Sequence, residues 1–251
     1  MSTTPTAVLK PYSASMNYHQ PVPDPLAHFN AIPWCAALLS DPSNVKVAVP
    51  DRRPLPNGEA SFVHKVMTSP TTVRACVTFI RMVKPPKSKS PPTSAPPSPH
   101  SSSSSSKDAL EAGAAKEEKP SAPPFVLSGG GRENGEDPRN PFLLLHALAE
   151  LGVDCQSFPG IMHGGLYGVL LDEVMGTAAN SQTANGAYTV RFTTNFRRAV
   201  RTPQIVLIRG RVVRKEGRKI HVRGTIEDKD GNVMAEGDGL WLDRTIGSSK
   251  L

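Results

Sequence analysis

The sequence predicts an α+β fold in which an antiparallel sheet wraps around one central helix. Three observations carry that prediction. A glycine-lined helical stretch runs over 163–179, and four strands with period-two alternation follow it. Ahead of it, a β-branched stretch over 71–83 and the short run Phe125-Val126-Leu127 supply opening strands.

Taken in chain order, residues 1–22 are polar with scattered prolines and read as a disordered tail. An N-terminal helical segment is expected over 23–70. Within it, Leu26, Phe29, Ile32, Trp34, Ala37 and Leu38 suggest one or two short helices broken near Pro33, and another short helix fits 60–66. The strand at 71–83 opens the main domain, expected over 71–243. From 85 to 124 the chain turns to Ser, Pro, Lys, Ala and Glu, including six consecutive serines at 101–106. Such a stretch cannot bury enough apolar area to offset its ordering entropy, so it reads as a flexible insertion inside the domain. Loop-closure cost grows only logarithmically with length, so the fold can carry it. After Phe125-Val126-Leu127 a helix fits 142–151, with Phe142, Leu145, Leu148 and Ala149 on one face. Residues 244–251 read as a tail.

In the main helix Gly165, Gly168, Asp172 and Gly176 share one face. Three glycines weaken a helix by ~1 kcal/mol each, so close packing of that face on a sheet is the expected compensation. In 188–196, Tyr188, Val190, Phe192 and Phe196 face one way and Thr189, Arg191, Thr193 and Asn195 the other. A strand over 205–214 follows. In 220–227, Ile220, Val222, Gly224 and Ile226 alternate with His221, Arg223, Thr225 and Glu227, and 233–242 closes the series. Glu216-Gly217 and Asp230-Gly231 supply tight turns between the last three strands. A meander wrapped around a glycine-lined helix is the hot-dog architecture.

Composition narrows the function. The net charge of +7 and pI near 9.5 favour an anionic partner. Arg197, Arg198, Arg201, Arg209, Arg211, Arg214, Lys215, Arg218 and Lys219 concentrate that charge on the strands, where phosphate attraction or a solvated face would explain it. A nucleic-acid interface would want interleaved aromatics, which are missing. Cys35, Cys76 and Cys155 are odd in number and widely spaced, so neither a disulfide framework nor a metal pair is readable, and a reducing intracellular compartment is expected. No secretory signal is visible, and no apolar run approaches the ~20 residues a transmembrane helix needs.

The chemistry gathers at His163-Gly164-Gly165 and Asp172. Backbone N–H groups at a helix start lack internal partners, the dipole adds positive potential, and glycine lets a carbonyl approach closely. That makes an oxyanion site, although a glycine turn with a capping histidine fits His163 equally well. Asp172, a carboxylate on the glycine-lined face, is costly unless paired or functional. It would serve as a general base for water or as a nucleophile, the alternative being a structural hydrogen bond. Glu173 points about 100° away and is the poorer base. Nine residues separate His163 from Asp172, roughly 13 Å of helix, so one carbonyl cannot touch both groups of a single chain. A site using both implies a dimer with two helices side by side.

The runs HGGLYGVLLDEVMG and YTVRFTTNFRRAV, with the meander GRVVRKEGRKIHVRGTIEDKDGNVMAEGDGLWL, resemble the PaaI-like and THEM4-like acyl-CoA thioesterases of the hot-dog superfamily. The resemblance covers about 155–243. It implies hydrolysis of acyl-CoA thioesters without metal or redox cofactor, in a homodimer or dimer of dimers. It further implies that Gly164 and Gly165 polarise the thioester carbonyl while His163 shapes the site. Asp172 would activate water or attack, Thr189 would orient the water or the carboxylate, and Asn195 would support Thr189 from the same strand face. Arg197 and Arg198 would contact coenzyme A phosphates. Ala199 stands where the family usually has proline, and the serine-rich insertion is unusual. A non-catalytic acyl-CoA-binding or protein-interaction module of the same fold is the competing expectation.

Overall fold

The computed structural model describes residues 22–82 and 143–244. The expected N-terminal tail, the insertion over 85–124, the Phe125–Leu127 strand and the C-terminal tail past 244 lie outside the described residues.

Two short helices, α1 (Pro25–Asn30) and α2 (Pro33–Leu39), start at prolines, whose fixed φ suits a first turn. Asp24 caps α1 by accepting the Ala27 N–H at 2.9 Å. Strand β1 (Asn44–Ala48) follows and was not foreseen. Beyond it a single π-helical turn, Phe62–Val66, occupies the place of the expected short helix. Strand β2 runs Val73–Met82 and β3 Leu143–Leu151; a small hairpin of β4 (Gln156–Phe158) and β5 (Ile161–Met162) leads into α3 (Gly164–Asn180). The meander is β6 (Ala187–Phe196), β7 (Gln204–Glu216), β8 (Lys219–Glu227) and β9 (Val233–Asp243). Seven strands form one antiparallel sheet in the order β1-β2-β3-β7-β8-β9-β6, with α3 packed in its concave face. Gly217 at φ 55° and Gly231 at φ 77° make the two hairpin turns in the left-handed region that glycine favours.

Residues 142–151 correct one expectation: Leu143–Leu151 is a strand, not a helix. Leu145, Ala147, Ala149 and Leu151 pack toward α3, while Leu148 packs against Phe29, Ile32 and Cys35 on the far side. A strand buried on both faces loses its polar alternation, and the resulting apolar run mimics a helical face.

The close packing of helix and sheet is real, but sheet glycines provide it. Gly210, Gly224 and Gly237 pair in register across β7, β8 and β9. A Cβ on Gly210 would lie 3.0 Å from the Val174 carbonyl oxygen, and one on Gly224 or Gly237 would lie 2.7 or 2.8 Å from the Met175 sulfur. The middle of α3 therefore sits in a groove where side chains are missing. The helix's own Gly168 is roomier, its nearest neighbours being Phe192 at 3.9 Å and Thr194 at 4.0 Å.

On the outer face, α1 covers a buried charged cluster. Glu150 is fully buried, with His28 Nε2 at 3.0 Å and Arg74 Nε at 3.7 Å. Arg209 joins Glu227 to His146, whose ring stacks on Phe79 with centroids 4.6 Å apart.

Candidate active site

The start of α3 is held by neighbouring backbone. Gly160 turns the β4–β5 hairpin at φ 73°, the Met162 N–H donates to the Val200 carbonyl, and the His163 N–H donates to the Cys155 carbonyl at 2.8 Å. His163 is the N-cap, and its Nδ1 accepts the Gly165 N–H at 3.0 Å. Of the two expected carbonyl donors, Gly165 is therefore engaged by the histidine. Gly164, as the first residue of the helix, has no intrahelical acceptor for its N–H.

A cavity of about 420 Å³ opens there among Met162, Gly164, Tyr167, Phe196, Arg197 and Arg198. Tyr167 shapes its wall, and the sequence reading missed it. Its hydroxyl accepts the Val200 N–H at 2.7 Å and donates to the Arg198 carbonyl at 3.4 Å, and its ring meets Phe196 edge to face. Two turns along α3, Asp172 is half-buried, and Thr189 Oγ1 on β6 donates to its Oδ1 at 2.9 Å. Asp172 and Thr189 are thus brought together. Gly164 lies eight residues from Asp172, about 12 Å along the helix, so one chain does not bring the donor and the carboxylate to one atom.

Asn195 does not share the face of Thr189. A bulge between Thr189 and Arg191 shifts the β6–β9 register, so Phe192 and Thr194 continue the helix-facing side. Asn195 pairs instead with Glu236, which binds Arg197 at 2.8 Å. Most of the basic strand residues are similarly paired: Arg209 with Glu227, Arg223 and Arg191 with Asp238, and Arg214 with Glu216. Arg198 lines the cavity and is exposed, and Arg201, three residues on, is exposed as well.

Glu173 projects to the other flank of α3. Burial first, and the charge of Asp172 second, raise its carboxyl above the usual range, while His64 opposes the shift. There a second cavity, of about 270 Å³, lies between α3, β2, β3 and the segment carrying Arg52, His64 and Met67. Among the described residues no group of three or more His, Cys, Asp or Glu gathers to hold a metal ion, and no helix is long and apolar enough to cross a membrane.

Residues 159–235 match the family model described as thioesterase superfamily. Within that matched stretch lie the His163 cap, the glycines, Asp172, Thr189 and the Arg197–Arg198 rim. The acyl-coenzyme A thioesterase THEM4 of Mus musculus is 29% identical over 88 residues, which cover 35% of this chain and 37% of that protein. The THEM4 of Bos taurus is 27% identical over 96 residues, covering 38% and 39%. The chain thus spans well under half the length of these curated relatives. A thioesterase superfamily protein of known crystal structure is 30% identical, with a TM-score of 0.38, over 40% of this chain and 49% of that one. Among the described residues β6 is an edge strand of the sheet, and Tyr188, Val190 and Phe196 on it are exposed by 47%, 54% and 60%.

Proposed function

We propose that this protein hydrolyses acyl-CoA thioesters to the free acid and coenzyme A. The observation that carries the reading is the Thr189–Asp172 hydrogen bond beside a glycine-started helix. The thioester carbonyl oxygen would accept the Gly164 N–H, where the helix dipole stabilises the oxyanion that develops. The Gly165 N–H, held by His163 Nδ1, orients the cap and would become a second donor if the imidazole yields it to substrate. Asp172 either takes a proton from the attacking water or adds to the acyl carbon, giving an anhydride that water then opens. In both routes the C–S bond breaks and coenzyme A leaves as the thiolate. Thr189 fixes one carboxylate oxygen and leaves the other to act.

Because Gly164 and Asp172 are about 12 Å apart on one helix, the site is completed by Asp172 from a second chain. The open β6 edge and its exposed Tyr188 and Val190 support pairing with another copy, as a homodimer or a dimer of dimers. Arg198 at the cavity and Arg201, three residues on, suit coenzyme A phosphates. Arg197, already bound to Glu236, would have to exchange that partner to join them.

Coenzyme A release from short, medium and long acyl-CoAs tests this, with wild type and Asp172→Asn compared at matched dimer content. Loss of at least ~10²-fold in the folded variant is expected for a general base or nucleophile. Equal turnover by both proteins would remove Asp172 from the mechanism. Absence of turnover by wild type, with tight acyl-CoA binding, would instead mark a binding module.

A further inference from the structure

The cavity on the Glu173 flank of α3 is unused by the chemistry above. Its walls are apolar: Val63 and Met67 from the covering segment, Cys76 from β2, Ala147 and Ala149 from β3, and Ile208 from β7. Burial pushes the Cys76 thiol up to about 11, so it stays protonated and counts with the apolar wall. Charged groups stand where Arg52, His64 and Glu173 meet it. The cover is tied down: Arg52 Nη2 donates to the Met67 carbonyl at 2.6 Å and the Val73 carbonyl at 2.5 Å. His64 Nδ1 lies 2.6 Å from the Arg53 carbonyl. An apolar, covered space with a polar rim is the form of a small-molecule pocket, and a closed core would have filled it.

Its position selects the occupant. Val169 and Glu173, one turn apart on α3, both line the cavity, and Glu173 directly follows Asp172. One residue step turns a helix by about 100°, so the cavity and the Asp172 carboxylate occupy adjoining strips of the same helix surface. An acyl group whose carbonyl carbon lies at Asp172 would therefore pass Val169 and enter beneath the 50–67 segment. At about 270 Å³ the cavity lies just below the ~300–1,000 Å³ of common small-molecule pockets, which suits a chain of intermediate length better than a long one.

We propose that this cavity receives the hydrocarbon tail of the acyl group, with Ala147 and Ala149 setting a limit at medium chain length. The proposal rests on the thioesterase reading above and names the substrate class of that same site. The small side chains on β3 keep the space open, because leucine at either position would fill it. The segment 50–67, which lies outside the stretch matching the family, becomes the part of the chain that selects substrate.

The test uses the full chain, with Ala147→Leu, Ala149→Leu and Val63→Trp made separately. Val63 is on the partly exposed cover, so its variant keeps the test alive if a β3 variant does not fold. Coenzyme A release is measured on acetyl-, butanoyl-, octanoyl-, decanoyl- and palmitoyl-CoA. Binding of free decanoate is measured by displacement of a fluorescent fatty-acid probe. The expected result is best turnover on octanoyl or decanoyl in wild type. The folded variants should lose at least tenfold on those chains, shift toward acetyl and butanoyl, and bind decanoate at least tenfold more weakly. An unchanged chain-length profile in folded variants would overturn the proposal while leaving the hydrolase standing. Decanoate binding lost in the variants, with no hydrolysis by wild type, would remove the hydrolase and support the cavity as a fatty-chain site. Unaltered decanoate binding in every folded variant would also overturn it.

Discussion

Alanine at Gly224 and at Gly168 should change stability in opposite directions. A Cβ at Gly224 would lie 2.7 Å from the Arg209 carbonyl oxygen and 2.7 Å from the Met175 sulfur. The thioether can swing aside, but the carbonyl belongs to β7 within the ladder and cannot. Gly210 and Gly237 on either side offer no spare room for the helix to slide into, since even a Cβ on them would lie 3.0 Å from the Val174 carbonyl oxygen and 2.8 Å from the Met175 sulfur. Overpacking of this kind costs about 1–3 kcal/mol. At Gly168 the new methyl would meet Phe192 at 3.9 Å and Thr194 at 4.0 Å, ordinary contact distances. Removing a glycine from a helix interior gains up to about 1 kcal/mol. The two variants should therefore differ by about 1–4 kcal/mol. For a domain of this size each kcal/mol moves Tm by about 2–4 °C, so the melts should separate by at least about 2 °C. Urea titration followed by far-UV circular dichroism measures both, with an unchanged m-value as the check that only the native state is altered. A Gly224→Ala protein as stable as wild type would refute the seating of α3 in the glycine row. A destabilised Gly168→Ala protein would show that the helix face is tighter than 3.9 Å implies.

Thr189→Val removes the donor to Asp172 while keeping its shape, so kcat for acyl-CoA hydrolysis should fall about tenfold or more with KM little changed; rescue by Thr189→Ser separates hydrogen bonding from packing. Burial, followed by the Arg209 and Arg81 guanidiniums, pushes His146 down to about 3, while Asp41 opposes the shift. The unfolded imidazole titrates near 6.5, so below that pH the unfolded chain binds a proton that the folded one refuses. The stability present above pH 6.5 is then lost as pH falls toward 3, by a few kcal/mol over the span, and His146→Gln should flatten the urea midpoint between pH 7 and 4. Burial also pushes Cys35 up to about 12 and Cys76 and Cys155 to about 11, so a thiol-disulfide reagent at pH 8 should label none of the three in the folded protein and all of them in urea.

The central helix and the four strands after it were legible to within two residues at most of their ends. His163, Gly164, Gly165 and Asp172 were legible as a cap and positions on a helix, and their spacing is the ground for the proposed second chain. Thr189 hydrogen-bonds Asp172, whereas Asn195 does not share its face, because a single bulge reversed the parity of β6 after Thr189. Bulges carry no reliable mark in a valine- and threonine-rich strand. Tyr167 was passed over because a tyrosine in a helix gives no sign that its hydroxyl will hold a loop 33 residues later, at Val200. The row Gly210, Gly224, Gly237 was invisible for a different reason: its members come together only when β7, β8 and β9 pair in one register.

These successes and failures divide along the sheet. At the β8–β9–β6 end the outer face carries paired charges such as Arg223–Asp238 and Arg197–Glu236, and only the inner face packs on α3. One-sided burial imposes period two on the sequence, and those strands could be read. At the β1–β2–β3 end, α1 and α2 bury the outer face as well, so Leu143–Leu151 became an apolar run and β3 passed for a helix. The groups proposed for catalysis lie toward the legible end, on α3 and β6, and the family match ends at residue 235 after covering them. The cavity proposed for the acyl tail lies toward the other end, walled by β2, β3 and the 50–67 segment. In the proposed reading, chemistry and chain-length selection occupy adjoining strips of one helix, so substitutions beneath the 50–67 segment should retune the substrate without touching Asp172 or Thr189.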